Sequence, residues 1–202
     1  LNMPKEQNSS QNLDLNKILL TGENSFIRLK QKDDGPITTK ATHWRILKSP
    51  GGPGHVLFIQ SDITDNEVRI YSDNFAMTRW IQGKIECALN PEFGDPETPI
   101  IDSVFSSSGD GINYWIESID SLNESIQMNW HGIGEPFYLR VGAGFLETAP
   151  TLGVSSCMIP SSKAQITNND IPALGSPYSE LFDGHPTSSS CLAWSETWTE
   201  IK

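Results

Sequence analysis

The sequence predicts a mainly β protein: a single antiparallel β-barrel or two-sheet sandwich with one amphipathic α-helix around residues 74–89. Three observations carry this expectation. Short runs rich in β-branched and aromatic residues recur along the chain, bounded by Gly, Pro, Asn and Asp. One segment alone spaces its apolar residues at the helical period. Several connections between runs are short enough to be hairpins.

Taken in order, residues 1–16 are polar, with the run Gln7-Asn8-Ser9-Ser10-Gln11-Asn12, and read as a flexible N-terminal segment before one β-rich domain over 17–202. Ser25 to Leu29 alternates and stops at Asp33-Asp34-Gly35-Pro36. Thr42 to Leu47 ends at Pro50-Gly51-Gly52-Pro53-Gly54, and His55 to Gln60 and Glu67 to Tyr71 flank a turn around Asp62 to Asn66. From Asn74 to Leu89 the residues Met77, Trp80, Ile81, Ile85, Ala88 and Leu89 fall on one helical face, with Asp73 as the expected N-cap and Asn90-Pro91 as the stop. Ile100 to Phe105, Ile112 to Ile119, Ser125 to His131 and Pro136 to Val141 follow, the last three as an antiparallel meander. Val154 to Ile159 and Ala164 to Thr167 are further strands. A long loop over 168–187, of the kind that serves as a lid or binding loop, leads to the final strand. Roughly ten strands and one helix suit a barrel, which removes exposed edges, with the helix plugging or covering an open end. In outline the arrangement resembles lipocalin-type barrels; it carries no lipocalin sequence motif, so the likeness implies no function.

Composition narrows the function classes. The 202 residues are 37% hydrophobic, which is a globular composition, and the formal net charge is −11. Scattered Lys and Arg under such a charge argue against nucleic-acid and anionic-membrane partners. No apolar run approaches the length of a membrane span, and the start lacks a secretory signal, so a cytoplasmic location is expected. Cys87, Cys157 and Cys191 match no zinc spacing or disulfide framework and read as buried free thiols. Asn8-Ser9-Ser10 and Asn123-Glu124-Ser125 fit the short glycosylation pattern. No nucleophile elbow, phosphate loop or His-Glu-x-x-His motif occurs, and the Gly-rich stretches do not open a helix after a strand, so no metal and no cofactor are expected.

The final strand holds the leading candidate site. At the two-residue period, Leu192, Trp194, Glu196 and Trp198 share one face, and Cys191, Ala193, Ser195 and Thr197 the other. Glu196 between two indoles, each about 7 Å away along the strand, is expected to be an acid with a raised pKa if this face points inward. Trp115 and Glu117 repeat the pairing on another strand. In Ser125 to His131, Ile126, Met128 and Trp130 form one face, and Ser125, Gln127, Asn129 and His131 the other, either solvent-facing or lining an interior. Glu135 follows His131 closely enough to orient its imidazole as an acid–base pair. Tyr138 and Arg140 share a face, where Arg140 has the two-pronged geometry to hold a carboxylate. His43 and Arg45 share a face beside Trp44, and His55 and His185 sit at turns.

These residues point to a barrel that binds a small, largely apolar or aromatic organic molecule. The chemistry they suit is cofactor-free acid–base work of the isomerase, lyase or cyclase kind. Glu196, His131 and Glu135 are the candidate catalytic residues; Trp194, Trp198, Trp115, Glu117, Tyr138, Arg140 and Asn129 are the candidate substrate contacts. A ligand carrier with the same pocket is the non-catalytic alternative, and a carbohydrate-binding sandwich using Trp platforms is a third. A homodimer is the candidate assembly.

Overall fold

The computed structural model describes residues 17–182 and 184–201. The expected N-terminal segment and the Asn8 glycosylation pattern lie outside those residues. Most strands join one sheet that nearly closes into a barrel. It begins with four antiparallel strands, β1 (Ile18–Lys30), β2 (Ile37–Lys48), β3 (Gly54–Gln60) and β4 (Val68–Ser72). Alternation decides their faces. Ile27, Leu29, Leu57, Ile59 and Tyr71 point to one side, and Leu20, Trp44, Ile46, Phe58 and Ile70 to the other.

After β4 the chain turns helical over residues 75–89: α1 (Phe75–Ile81), a π-helical turn (Gln82–Glu86) and α2 (Cys87–Leu89). Asn74, one residue after the expected Asp73, caps it, its side chain accepting from the Met77 amide at 3.1 Å. The helix does not plug the barrel. Met77, Ile81 and Ile85 pack with Phe93 on the outer face of β1–β4, against Trp44, Phe58 and Ile70. A helical crossover returns the chain to the end of the sheet from which it left, so β5 (Ile100–Asp102) runs parallel to β4. This one parallel pair departs from an all-antiparallel barrel.

Closure follows from connectivity. β5 is one end of the strand order, and β6 (Val104–Gly109) is the other, yet only Ser103 separates them. The Ser103 amide bonds the Ser72 carbonyl at 3.1 Å, so one residue draws the two ends of the sheet together. From β6 the order runs through β7 (Tyr114–Asp120) and β8 (Ser125–Ile133) to β10 (Leu152–Asn168), then β14 (Ser190–Glu200), which pairs with β1. The interior is filled by Ile119, Met128, Trp130, Ile166 and Leu192 with the inward residues of β1–β4.

The expected meander is broken at its third member. β9 (Phe137–Val141) pairs with β10, not β8. The cause is the length of β10, which spans both of the predicted runs. Its first half lies between β14 and β9, and its second half, from Ser161, turns alongside β8. Residues 168–187 are not a bare loop: β11 (Ile171–Pro172) pairs with β10, and β12 (Ser179–Phe182) and β13 (His185–Ser188) form a separate hairpin. No described helix is long and apolar enough to cross a membrane. All three cysteines are free, with Cys191 buried and the other two half-buried.

Gly51 sets the approach of helix to sheet. A Cβ there would stand 2.4 Å from the Met77 Cα, a backbone atom that cannot yield alone. Gly51→Ala is expected to cost on the order of 1–3 kcal/mol, an overpacking penalty, read by urea denaturation. Gly83→Ala meets nothing within 4 Å and serves as the control, with stability unchanged or slightly raised.

Candidate functional site

The final strand does not keep one face. Ser155 pairs with Thr197, but Cys157 pairs with Trp194, so β14 holds one extra residue against β10. The same slip appears against β1, between the pairs Gly22–Glu196 and Phe26–Cys191. Ser195 takes up the extra residue in a left-handed conformation, φ 55°. Beyond this bulge the side-chain parity reverses. Leu192 and Trp194 point into the barrel, where Trp194 meets the Trp115 ring edge-on at 5.3 Å. Glu196 and Trp198 point outward with Ala193. The expectation that Leu192, Trp194, Glu196 and Trp198 share a face is thus corrected by one residue of register.

Glu196 lies on the floor of an outer cleft of about 170 Å³. Phe26, Val154, Met158 and Trp198 line it on the sheet, Leu139 and Val141 from β9, Leu89 from the end of the helical segment and Phe93 from the 3-10 turn after it. The β12–β13 hairpin, within the segment expected to be a binding loop, adds Glu180 and Phe182 as a wall. Of its polar side chains, Thr42 donates to Asn24 at 2.6 Å and Asn90 to Glu86 at 2.5 Å, and Thr187 and Ser188 also line it. Arg28 stands 3.8 Å from Glu180, and Lys40 is paired with Glu92. Glu196, only 4% exposed, faces the same mainly apolar space.

The Trp198 indole N–H donates to Glu196 Oε1 at 2.6 Å. Burial pushes the Glu196 carboxyl up to about 7; the Trp198 hydrogen bond and the nearby Ser156 and Asn24 groups pull it partly back. The charge of Glu86 adds to the upward push. Glu86 was not foreseen. It sits in the π-helical turn, which rotates it onto the buried side. There it accepts from the Trp44 indole at 2.9 Å and from Asn90 at 2.5 Å. Burial likewise raises it to about 7. The Trp44 and Trp198 rings lie 6.3 Å apart between the two acids. On a regular helix Glu86 falls about 100° from Ile85, off the apolar face, so local spacing carries no signal for it.

Other candidate residues fall elsewhere. Trp115 and Glu117 are inside the barrel, where the Trp115 indole donates to Glu117 Oε1 at 2.7 Å. Burial raises Glu117 to about 7 as well. His43 Nδ1 lies 4.0 Å from the same oxygen. Burial first, then the charges of His55 and Arg45, push His43 down to about 3, so it is neutral. His131 is exposed on β8 and stacks on Tyr114, and Glu135 is exposed in the turn after it. Neither lines the cleft with Glu196. Asn129 lies on the outward polar face of β8, with Ile126, Met128 and Trp130 turned into the core. Tyr138 and Arg140 are on the exposed face of β9, opposite the Leu139 and Val141 that line the cleft. Among the described residues no group of three His, Cys, Asp or Glu side chains is placed to hold a metal ion.

No protein-family profile, no curated protein and no solved structure matches the chain.

Three carboxyls raised from 4.5 to about 7 bind more protons in the folded than in the unfolded chain across that window. Their contribution to stability is complete below about pH 4.5 and is lost as pH rises through about 7. His43, lowered from 6.5 to about 3, works the other way, but it is one group against three. Stability is therefore expected to fall from pH 5 to pH 8, by on the order of 2 kcal/mol for each carboxyl. Glu196→Gln removes about a third of the slope. Urea denaturation at several pH values checks both, and a flat profile would mean that these acids are solvated.

Proposed function

We propose that this barrel is a small-molecule-binding protein whose ligand lies in the outer cleft. The reading places a largely apolar body against Phe26, Met158 and Trp198, with one polar group on the Glu196 carboxyl. The observation that carries it is a buried carboxyl facing a cavity otherwise walled mainly by apolar side chains. Burying an acid there costs stability and adds no packing that an apolar residue would not provide. A polar ligand group recovers part of that cost. The volume suits a single ring or short alkyl chain, since cavities of about 150 Å³ admit benzene. Under this reading cyclohexanol shifts the Trp198 indole N–H resonance saturably. Glu196→Gln weakens the binding by about three- to tenfold, the worth of one altered hydrogen bond. Ala193→Leu, which fills the floor, abolishes it. Tyr138→Ala, on the far side of β9, leaves it unchanged, and equal affinity in all four proteins would sink the reading.

A catalytic version rests on one further observation: a carboxyl held near 7 matches the driving force for proton transfer at neutral pH. Its chemistry would be proton abstraction from an apolar substrate, as in an isomerase or lyase. Ring opening of 5-nitrobenzisoxazole, which needs only a desolvated base, tests it. The expected rate rises through about pH 7 and is lost in Glu196→Gln but kept in His131→Ala. A rate no greater than that of acetate at the same concentration leaves the carrier reading alone.

A further inference from the structure

The two ends of the barrel interior are built differently. At one end Arg69 is paired with Glu124, which also accepts from the Tyr71 hydroxyl at 2.8 Å and the Asn168 amide at 3.0 Å. Of the buried polar atoms in that network, Asn168 Oδ1 alone has no hydrogen-bond partner among the described residues. The opposite end holds Glu117 and His43 at its base, with side chains 4% and 2% exposed, and Arg45 and His55 at its rim, 38% and 30% exposed. Exposure falls from the rim to the base.

Strand register places its members in neighbouring rungs. Glu23 faces Arg45, which faces His55, across β1, β2 and β3; Ser25 faces His43 in the next rung. Trp194 comes from β14, the other neighbour of β1. Three buried polar atoms in this region have no hydrogen-bond partner among the described residues: His43 Nε2, Arg45 Nε and Trp194 Nε1. Such groups are rare in folded proteins, because the desolvation of each goes uncompensated. Here they gather in one place. The Arg45 and Trp194 groups are N–H donors, so what they lack is an acceptor oxygen.

Charge and shape limit what can supply it. Glu23, paired with Arg45, and Asp73, paired with His55, put carboxylates at the rim and disfavour an anion. The Arg45 guanidinium disfavours a cation. The remaining walls are flat rings: Trp115 and Trp194, and the near-parallel set of Phe105, His43 and His55, whose centroids are 5.1–6.1 Å apart. We propose that this end of the barrel is a second site, which binds a small, flat, uncharged molecule through a carbonyl oxygen that accepts from Trp194 and Arg45. The site is separate from the outer cleft, since the Ser195 bulge turns Trp194 and Glu196 to opposite faces of β14.

Three probes of one shape and different charge test it: benzamide, benzoate and benzylamine, titrated into the isotope-labelled protein with the indole N–H resonances as readout. Benzamide is expected to shift the Trp194 and Trp115 signals saturably, with the charged probes at least tenfold weaker. Trp194→Phe keeps a ring but loses the donor, and Arg45→Lys loses the Nε donor. Each is expected to weaken benzamide by about fivefold, the worth of one hydrogen bond. Cyclohexanol binding at Trp198 is expected to stay unchanged in both variants. If Trp194→Phe does not fold, Arg45→Lys decides alone. A Trp194 signal that does not move, or a benzamide response confined to Trp198, overturns the site. Benzoate binding as tightly as benzamide overturns the choice of an uncharged ligand. Unchanged benzamide affinity in every folded variant removes the proposed donors.

Discussion

Ser195 is one residue too many for the ladder on either side of it, and the arrangement of both candidate sites depends on that surplus. β14 lies in the middle of the strand order, bonded to β1 and β10. It therefore contributes side chains to the barrel interior and to the outer surface alike. A regular strand would have sent Trp194, Glu196 and Trp198 to a single side. With Ser195 in the left-handed region, the strand gives one tryptophan to the interior and the other, with its acid, to the cleft. Holding a non-glycine residue there costs on the order of 1 kcal/mol, which the ladders on both edges of β14 sustain.

A second regularity is the way buried carboxyls are held. Glu86, Glu117 and Glu196 each accept from an indole N–H, of Trp44, Trp115 and Trp198. Two pairs are two residues apart on one strand, and the third joins a helix to the sheet. An indole is a donor with no acceptor, so it satisfies a carboxyl oxygen and surrounds it with apolar surface at once. The hydrogen bond favours the ionised acid and the apolar surroundings oppose it. In all three the second effect is larger, and the acids are held up near 7. Burial among indoles holds these acids close to half-ionised near neutral pH.

The sequence by itself determined the kind of fold. Alternation of β-branched and aromatic residues between Gly, Pro and Asn boundaries located most strands. The helical spacing of Met77, Ile81 and Ile85 located the helix to within a residue of its cap, because both periods follow from backbone geometry and local chemistry. Local pattern also marked Glu196 and Glu117 as acids beside tryptophans, since residues two apart on a strand are neighbours in any fold. It marked His43 and Arg45 as sharing a face.

Tertiary structure decided where those local units went. Which of two strands β9 would join depended on the reach of β10, a long-range matter that the Gly132–Pro136 connection does not encode. The helix covers the outer face because Trp44, Phe58 and Ile70 needed burial there. The pairing of Glu86 with Trp44 spans distant segments and turns on a π-helical turn with no sequence signature. The bulge is the sharpest case. Ser195 is an ordinary strand residue by composition, and only its partners on two neighbouring strands force the extra residue into the left-handed region. A single slip in register, invisible to alternation, separated Trp194 from Glu196, because the pleat exchanges faces at every residue.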